Sequence, residues 1–341
     1  MPTQSIKPQV LITGTTGYVG GRLRLHLENQ EFSIRCLVRC KSHIPIEHPL
    51  STEYVVGDIS DRKALLKALI GVEVAYYFVH SLGETNDYIE IDRIHAAGFA
   101  EAAAKANVKK IIYLGWLGSS YQEDLSPYLR SRHQVGHILR AHAGNVQIIE
   151  FRSSIVIGSG SLSFELIRSL VEKLPLMFIP TWVNTEAQPI AIKDLLEYLA
   201  RGIDCKLEGN QIFEIGGHDR VSYAGLMKEY AKQRNLKRWM IPIPLFSPLL
   251  STLWLALITP LYARIVKKLV ESAKCPIVVH DPLAMHVFNM KPLGFKEAIS
   301  QALTTLVPET RWNDSDSRGL KRNDWSKMHF GGHFSEIKEK E

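Results

Sequence analysis

The chain has 341 residues, long for a single core and short for three, so two lobes or one enlarged α/β domain are expected. An apolar fraction of 45% with 22% charge excludes a disordered chain, and 41 basic against 35 acidic residues, a net +6, mildly favours anionic ligands. The basic residues are scattered rather than packed into a run, which argues against nucleic-acid binding.

The first half alternates regularly. Gln9 to Thr13 (QVLIT) is a short β-branched run, and Thr16 to Asn29 follows with helical spacing of Val19, Leu23 and Leu27. The strand signature repeats at Ile34 to Val38, Tyr54 to Val56, Val74 to Val79, Ile111 to Leu114 and Ile148 to Phe151. Every gap but the second holds a helix-compatible segment, such as Asp61 to Leu69 or Tyr88 to Ala106. Near-continuous apolar strands separated by helices predict an α/β fold with a Rossmann-type, doubly wound parallel sheet covered on both faces.

Beyond about residue 160 the rhythm changes. Phe164 to Leu174, Lys193 to Gly202 and Tyr223 to Asn235 read as helices, and Gln211 to Ile215 as a strand ending in Gly216 and Gly217. The expected division is a nucleotide-binding core over 1–160, a smaller mixed α+β lobe over 161–308 partly interleaved with it, and a flexible tail over 309–341.

Cys36, Cys40, Cys205 and Cys275 show neither paired zinc spacing nor the density of a secreted scaffold, so reduced thiols, no metal site and a cytoplasmic location are expected. The N-terminus MPTQSIKPQVLITG has no basic segment followed by an apolar one, which argues against export and places the mature start at or near Met1.

The strongest chemical signal is TGTTGYVGG. Gly14, Gly17 and Gly20 form G-x-x-G-x-x-G between the first strand and the first helix, with Thr15, Thr16, Tyr18 and Val19 filling the turn. There the glycines permit a tight turn and close approach of backbone to a diphosphate, while the helix N-terminus offers N–H groups and a positive dipole. An NAD site usually places an acid about 20 positions on. Here Arg39 stands 19 residues after Gly20, followed by Lys41, with no carboxylate in LVRCK. A guanidinium pairs with a 2′-phosphate, so NADP(H) is preferred over NAD(H); a solvated charge at a strand end is the plainer alternative. Asp58 and Ile59 follow the third strand, where they would meet adenine, although Asp58 could instead cap a helix near Ser60. Val79, His80 and Ser81 follow the fourth strand, near the nicotinamide half.

These motifs, with SRHQVG (Ser131 to Gly136), resemble the atypical, NmrA-like branch of the short-chain dehydrogenase/reductase superfamily. RSSIVIGSGS (Arg152 to Ser161), QPIAIKDL (Gln188 to Leu195), FEIGG (Phe213 to Gly217) and the stretch near Thr259-Pro260 extend the likeness to a bacterial group of NAD(P)-binding oxidoreductase-like proteins. Longer members of that group carry a C-terminal domain of unknown function, whose beginning GGHF (Gly331 to Phe334) resembles. A more distant relative in kind is the accessory NADPH-binding subunit of respiratory complex I.

The resemblance implies a proton-transferring tyrosine with a lysine four residues on. Tyr128 and Arg132 hold that spacing on one helix face, with arginine in place of lysine. Arginine keeps the charge and cannot give up a proton. The serine expected after the fifth strand is replaced by Leu114-Gly115-Trp116, the nearest hydroxyls being Ser119 and Ser120. Tyr128 is therefore either the acid/base or a ring packed on the helix's first turn, and His133 is a spare candidate.

Residues 240–263 carry no formal charge, but Pro242, Pro244, Pro248 and Pro260 leave no run long enough to span a bilayer. The segment either lines an apolar substrate pocket or, over 240–268 with Arg264, Lys267 and Lys268, lies on a membrane surface, which would place the protein at the periphery of the inner membrane. The leading function is an NADP(H)-dependent oxidoreductase on a small apolar carbonyl, alcohol or quinone-like substrate. The alternatives are a non-catalytic NADP(H)-binding redox sensor or scaffold and a nucleotide-sugar epimerase.

Overall fold

The computed structural model describes residues 7–80, 87–118, 126–243 and 272–304. Ser81, Ser119, Ser120, residues 244–268, GGHF and the 309–341 tail, for which the sequence raises expectations, lie outside these residues.

The first half runs β1 (Gln9–Thr13), α1 (Tyr18–Glu28), β2 (Ser33–Val38), β3 (Thr52–Val56), α2 (Arg62–Leu69), β4 (Val74–Tyr77), α3 (Tyr88–Lys105), β5 (Lys110–Trp116), α4 (Pro127–His142) and β6 (Gln147–Ser153). Local chemistry sets these boundaries. Asp61 caps α2 by accepting from the N–H groups of Lys63 and Ala64 at 2.9 and 3.2 Å. Ser126 caps α4 and Pro127 occupies its first position, where a missing N–H costs nothing. Only a 3₁₀ turn, Lys41–His43, lies between β2 and β3. The capping role that is the alternative for Asp58 falls to Asp61.

The second half continues with β7 (Val156–Ile157), α5 (Leu162–Lys173), β8 (Leu176–Pro180), β9 (Glu186–Ala187), β10 (Ile190–Ala191), α6 (Ile192–Arg201), β11 (Gln211–Ile215), β12 (Val221–Ser222), α7 (Tyr223–Gln233), β13 (Trp239–Ile243), α8 (Leu283–Val287) and α9 (Phe295–Thr304).

Seven strands form one sheet in the order β11-β6-β5-β4-β1-β2-β3, every pair parallel. The order reverses between β1 and β4, the place where doubly wound sheets open a crevice at their carboxyl edge. Leu23 and Leu27 of α1, with Leu195 and Leu199 of α6, cover one face; the other is covered by Leu65 and Leu69 of α2, Phe99 of α3 and Leu139 of α4. The strands are apolar on both faces because both are buried. β11 draws the second half into the sheet, and the rings of Phe151, Phe213 and Phe288 pack against one another across that seam with centroids 4.9 to 5.7 Å apart. A separate core gathers Phe164, Val171, Met177, Met227 and Tyr230. Among the described residues no helix is long and apolar enough to cross a membrane, and no cluster of His, Cys, Asp or Glu could hold a metal ion.

Candidate functional site

The glycine turn is closed by backbone contact. Gly14 has φ +70°, a conformation that favours glycine, and a Cβ there would meet the Phe78 carbonyl oxygen at 2.7 Å. A Cβ on Gly20 would lie 2.4 Å from the Gly14 oxygen. Thr13 fixes the turn to the end of β4, its hydroxyl donating to the Tyr76 carbonyl at 2.9 Å and accepting from the Phe78 N–H at 3.2 Å. Gly17 caps α1 without a side-chain hydrogen bond, and no acid stands in the first turn. A helix start pressed against the switch point, with no side-chain cap and no acid in its first turn, fits a dinucleotide diphosphate.

Thr15 is buried, and Val19 packs into the core beside the turn. The Tyr18 ring leans away toward the second half, under the Arg22 guanidinium at 3.9 Å, while Arg22 donates to the Ser159 carbonyl at 3.0 Å. A groove of 330 Å³ opens there, lined by Arg22, His26, Ser159, Lys193 and Gln301 among others. It lies apart from Tyr128 and Arg132.

Arg39, just past β2, and Lys41 in the following turn are both exposed. Asp58 accepts from the N–H and hydroxyl of Ser60 at 2.8 and 2.6 Å. Burial raises its pKa, but these bonds and the charges of His95 and Arg39 outweigh it, so the carboxyl sits below its ordinary value. Arg39 and an ionised Asp58 thus share the carboxyl edge of β2 and β3. Ile59 is buried in the core, Val79 packs against that core, and His80 is exposed.

Tyr128 and Arg132 occupy adjacent turns of α4, and both are buried, at 7% and 6% exposure. The Tyr128 ring meets Trp116 edge-on with centroids 6.0 Å apart. Arg132 lies over the Tyr113 ring at 5.2 Å and donates to the Leu114 carbonyl at 3.1 Å. Burial raises the phenol of Tyr128; Arg132 opposes that, Asp92 and Tyr88 add to it, and the net direction is upward. Tyr128 is therefore protonated at neutral pH. Arg132 remains charged, since the nearby tyrosines and Asp92 outweigh its desolvation.

Three buried donors at this edge have no hydrogen-bond partner among the described residues: Trp116 Nε1, Arg132 Nη1 and Ser154 Oγ. Buried polar groups are normally satisfied. Trp116 ends β5, Ser154 follows β6, and the register sets Trp116 opposite Ser153, so Trp116 and Ser154 flank the same carboxyl edge.

Beneath them lies a network the sequence reading missed. Glu150, fully buried in the middle of β6, is ion-paired with Arg140 and with Arg152 Nε, the latter at 2.7 Å. A Cβ on Gly136 would strike the Glu150 carboxylate at 2.3 Å. The legible signal was the four-residue stripe Tyr128, Arg132, Gly136, Arg140. His133 borders this network; burial and the charge of Arg152 lower its pKa and keep the ring neutral near pH 7.

A protein family described as NAD(P)H-binding matches residues 14–154. A UDP-glucose 4-epimerase from Vibrio cholerae is 24% identical over 269 residues, covering 70% of this chain and 79% of the relative. The photosystem II assembly factor Ycf39 of Cyanophora paradoxa is 22% identical over 242 residues, 69% of this chain and 72% of its own. The Bordetella bronchiseptica enzyme WbmG, solved in complex with NAD, superposes with a TM-score of 0.68 at 17% identity, covering 92% of this chain and 96% of that one. Residues 14–154 thus carry an NAD(P)H-binding domain on a Rossmann-type sheet, and the relatives, which include a putative dihydroflavonol 4-reductase from Synechocystis 24% identical over 264 residues, 70% of this chain and 76% of its own, are consistent with the atypical short-chain dehydrogenase/reductase superfamily.

Proposed function

We propose that the protein is an NADP(H)-dependent oxidoreductase that reduces a small apolar carbonyl or quinone-like compound, or oxidises the corresponding alcohol. The observation that carries this reading is the group of buried, unpartnered donors Trp116 Nε1, Arg132 Nη1 and Ser154 Oγ beside a protonated Tyr128. Donors without acceptors suit a substrate that brings an oxygen into an otherwise apolar site. Arg39, exposed just past β2, supports NADP(H), because a guanidinium fork matches a 2′-phosphate.

When bound, a reduced nicotinamide supplies hydride chemistry. Tyr128 holds a proton at its phenolic oxygen and passes it to the substrate oxygen as negative charge develops there. The fixed charge of Arg132 then stabilises the phenolate, and the proton is restored from solvent because a guanidinium cannot relay it. With the phenol raised, Tyr128 serves better as an acid than as a base near pH 7, which favours reduction.

A second reading, a redox sensor or scaffold that binds NADP(H) without turnover, is favoured by the 7% exposure of Tyr128 and by arginine at the lysine position. The assembly-factor relative is in keeping with it. The epimerase relative keeps conversion of a nucleotide sugar as a third. NADPH oxidation with a panel of apolar aldehydes, ketones and quinones separates them. Turnover abolished by Tyr128→Phe supports the oxidoreductase; NADPH that quenches tryptophan fluorescence without being oxidised supports the sensor; conversion of a UDP-sugar supports the epimerase.

A further inference from the structure

Strands β8 and β13 run parallel, with Leu176 opposite Trp239 and Phe178 opposite Ile241. On one face the alternate residues of β8, Met177 and Ile179, are buried in the second core. On the other, Trp239, Leu176, Ile241 and Phe178 are 74%, 44%, 43% and 39% exposed. The register makes them one contiguous patch, not scattered surface residues. A four-residue apolar ledge at the surface of a folded chain calls for a partner.

The charge around the ledge says which kind. Lys232, Arg234 and Lys237, all exposed, lead into β13, and Arg238 is anchored by donating to the carbonyls of Val171 and Glu172. The nearby acid Glu172 already accepts from Tyr230 and pairs with Arg168 and Arg234. From Lys232 to Ile243 the sequence has four cations, Lys232, Arg234, Lys237 and Arg238, and no acid. A second copy would bring one cationic rim against another. A highly acidic protein would match the rim but has no use for the tryptophan and phenylalanine.

We propose that this face of β8 and β13 docks on the surface of an anionic lipid bilayer. Trp239 and Phe178 enter the headgroup layer, where an amphipathic indole is well accommodated, and the lysines pair with lipid phosphates. This inference stands independently of the catalytic reading.

Flotation of the full chain with vesicles tests it. The protein should rise with phosphatidylcholine vesicles that contain phosphatidylglycerol, stay behind with phosphatidylcholine alone, and be released by salt. Trp239→Ser with Phe178→Ser should weaken partitioning at least about tenfold. Lys232→Gln with Lys237→Gln should weaken it about 25-fold, at about fivefold per lysine. Both pairs are surface changes whose thermal midpoint should match wild type. Absence of flotation overturns the proposal, as does flotation that neither pair of substitutions weakens. Lipid-free self-association abolished by Trp239→Ser also overturns it, by making a second copy the occupant.

Discussion

Replacing Gly20 by alanine tests the diphosphate cradle. The added Cβ would lie 2.4 Å from the Gly14 oxygen and 2.9 Å from its carbonyl carbon, so the gap must open by about 0.6 Å to reach even 3.0 Å. Both atoms are backbone, so either the glycine turn or α1 itself has to shift. Overpacking of this kind costs about 1–3 kcal/mol of stability. The same shift carries the first-turn N–H groups off a bound diphosphate. A hydrogen bond to a charged group contributes about 1.5–3 kcal/mol, so losing one raises Kd about 10- to 150-fold. Calorimetric titration with NADPH reads the second effect, and denaturation without cofactor reads the first. Gly98→Ala is the control, because it sits within α3 with nothing within 4 Å of an added Cβ. It should gain about 0.5–1 kcal/mol of stability and leave Kd unchanged. A Gly20→Ala protein that binds NADPH as wild type does would refute the cradle.

Three further predictions follow from other parts of the site. Because the folded-state phenol of Tyr128 is raised, carbonyl reduction should show no loss from this group up to the ordinary tyrosine value of about 10, with its decline above that; a phenolate absorbance band that appears between pH 7 and 8 and is missing from Tyr128→Phe contradicts it. Glu150→Ala leaves two arginines beside the buried middle of β6, and since Arg140 keeps a fifth of its side-chain surface in water the cost should sit near the lower end of the buried-pair range, about 3 kcal/mol; a loss below about 1 kcal/mol in urea denaturation would show that the pairs are not coupled as described. Arg39→Ala should weaken NADPH binding about tenfold while leaving NADH unchanged, and equal effects on both coenzymes in parallel titrations would remove Arg39 from 2′-phosphate recognition.

Periodicity carried most of the sheet. β1 and β11 have the bounds read from QVLIT and QIFEI, and the gap without a helix falls between β2 and β3 as expected. The glycine spacing was legible because its chemistry is local, with turn, helix start and phosphate contact lying within eight residues. Partners distant in sequence were not legible. Nothing in IIEFRS announces that Glu150 would meet Arg140 from α4, since a charge amid an apolar run is read as a strand's exposed position until a helix covers it. β13 escaped for a related reason: Pro242 within MIPIP argues against a strand, yet it sits opposite Ile179 in a two-stranded ladder. Tyr128 and Arg132 were found by spacing, whereas the unpartnered donors beside them depend on where β5, β6 and α4 meet.

Calorimetric titration of the unaltered chain with NADPH and NADH tests the account at its centre. One saturating site per chain is predicted, tighter for NADPH by at least about tenfold. Absence of heat from both coenzymes would contradict it.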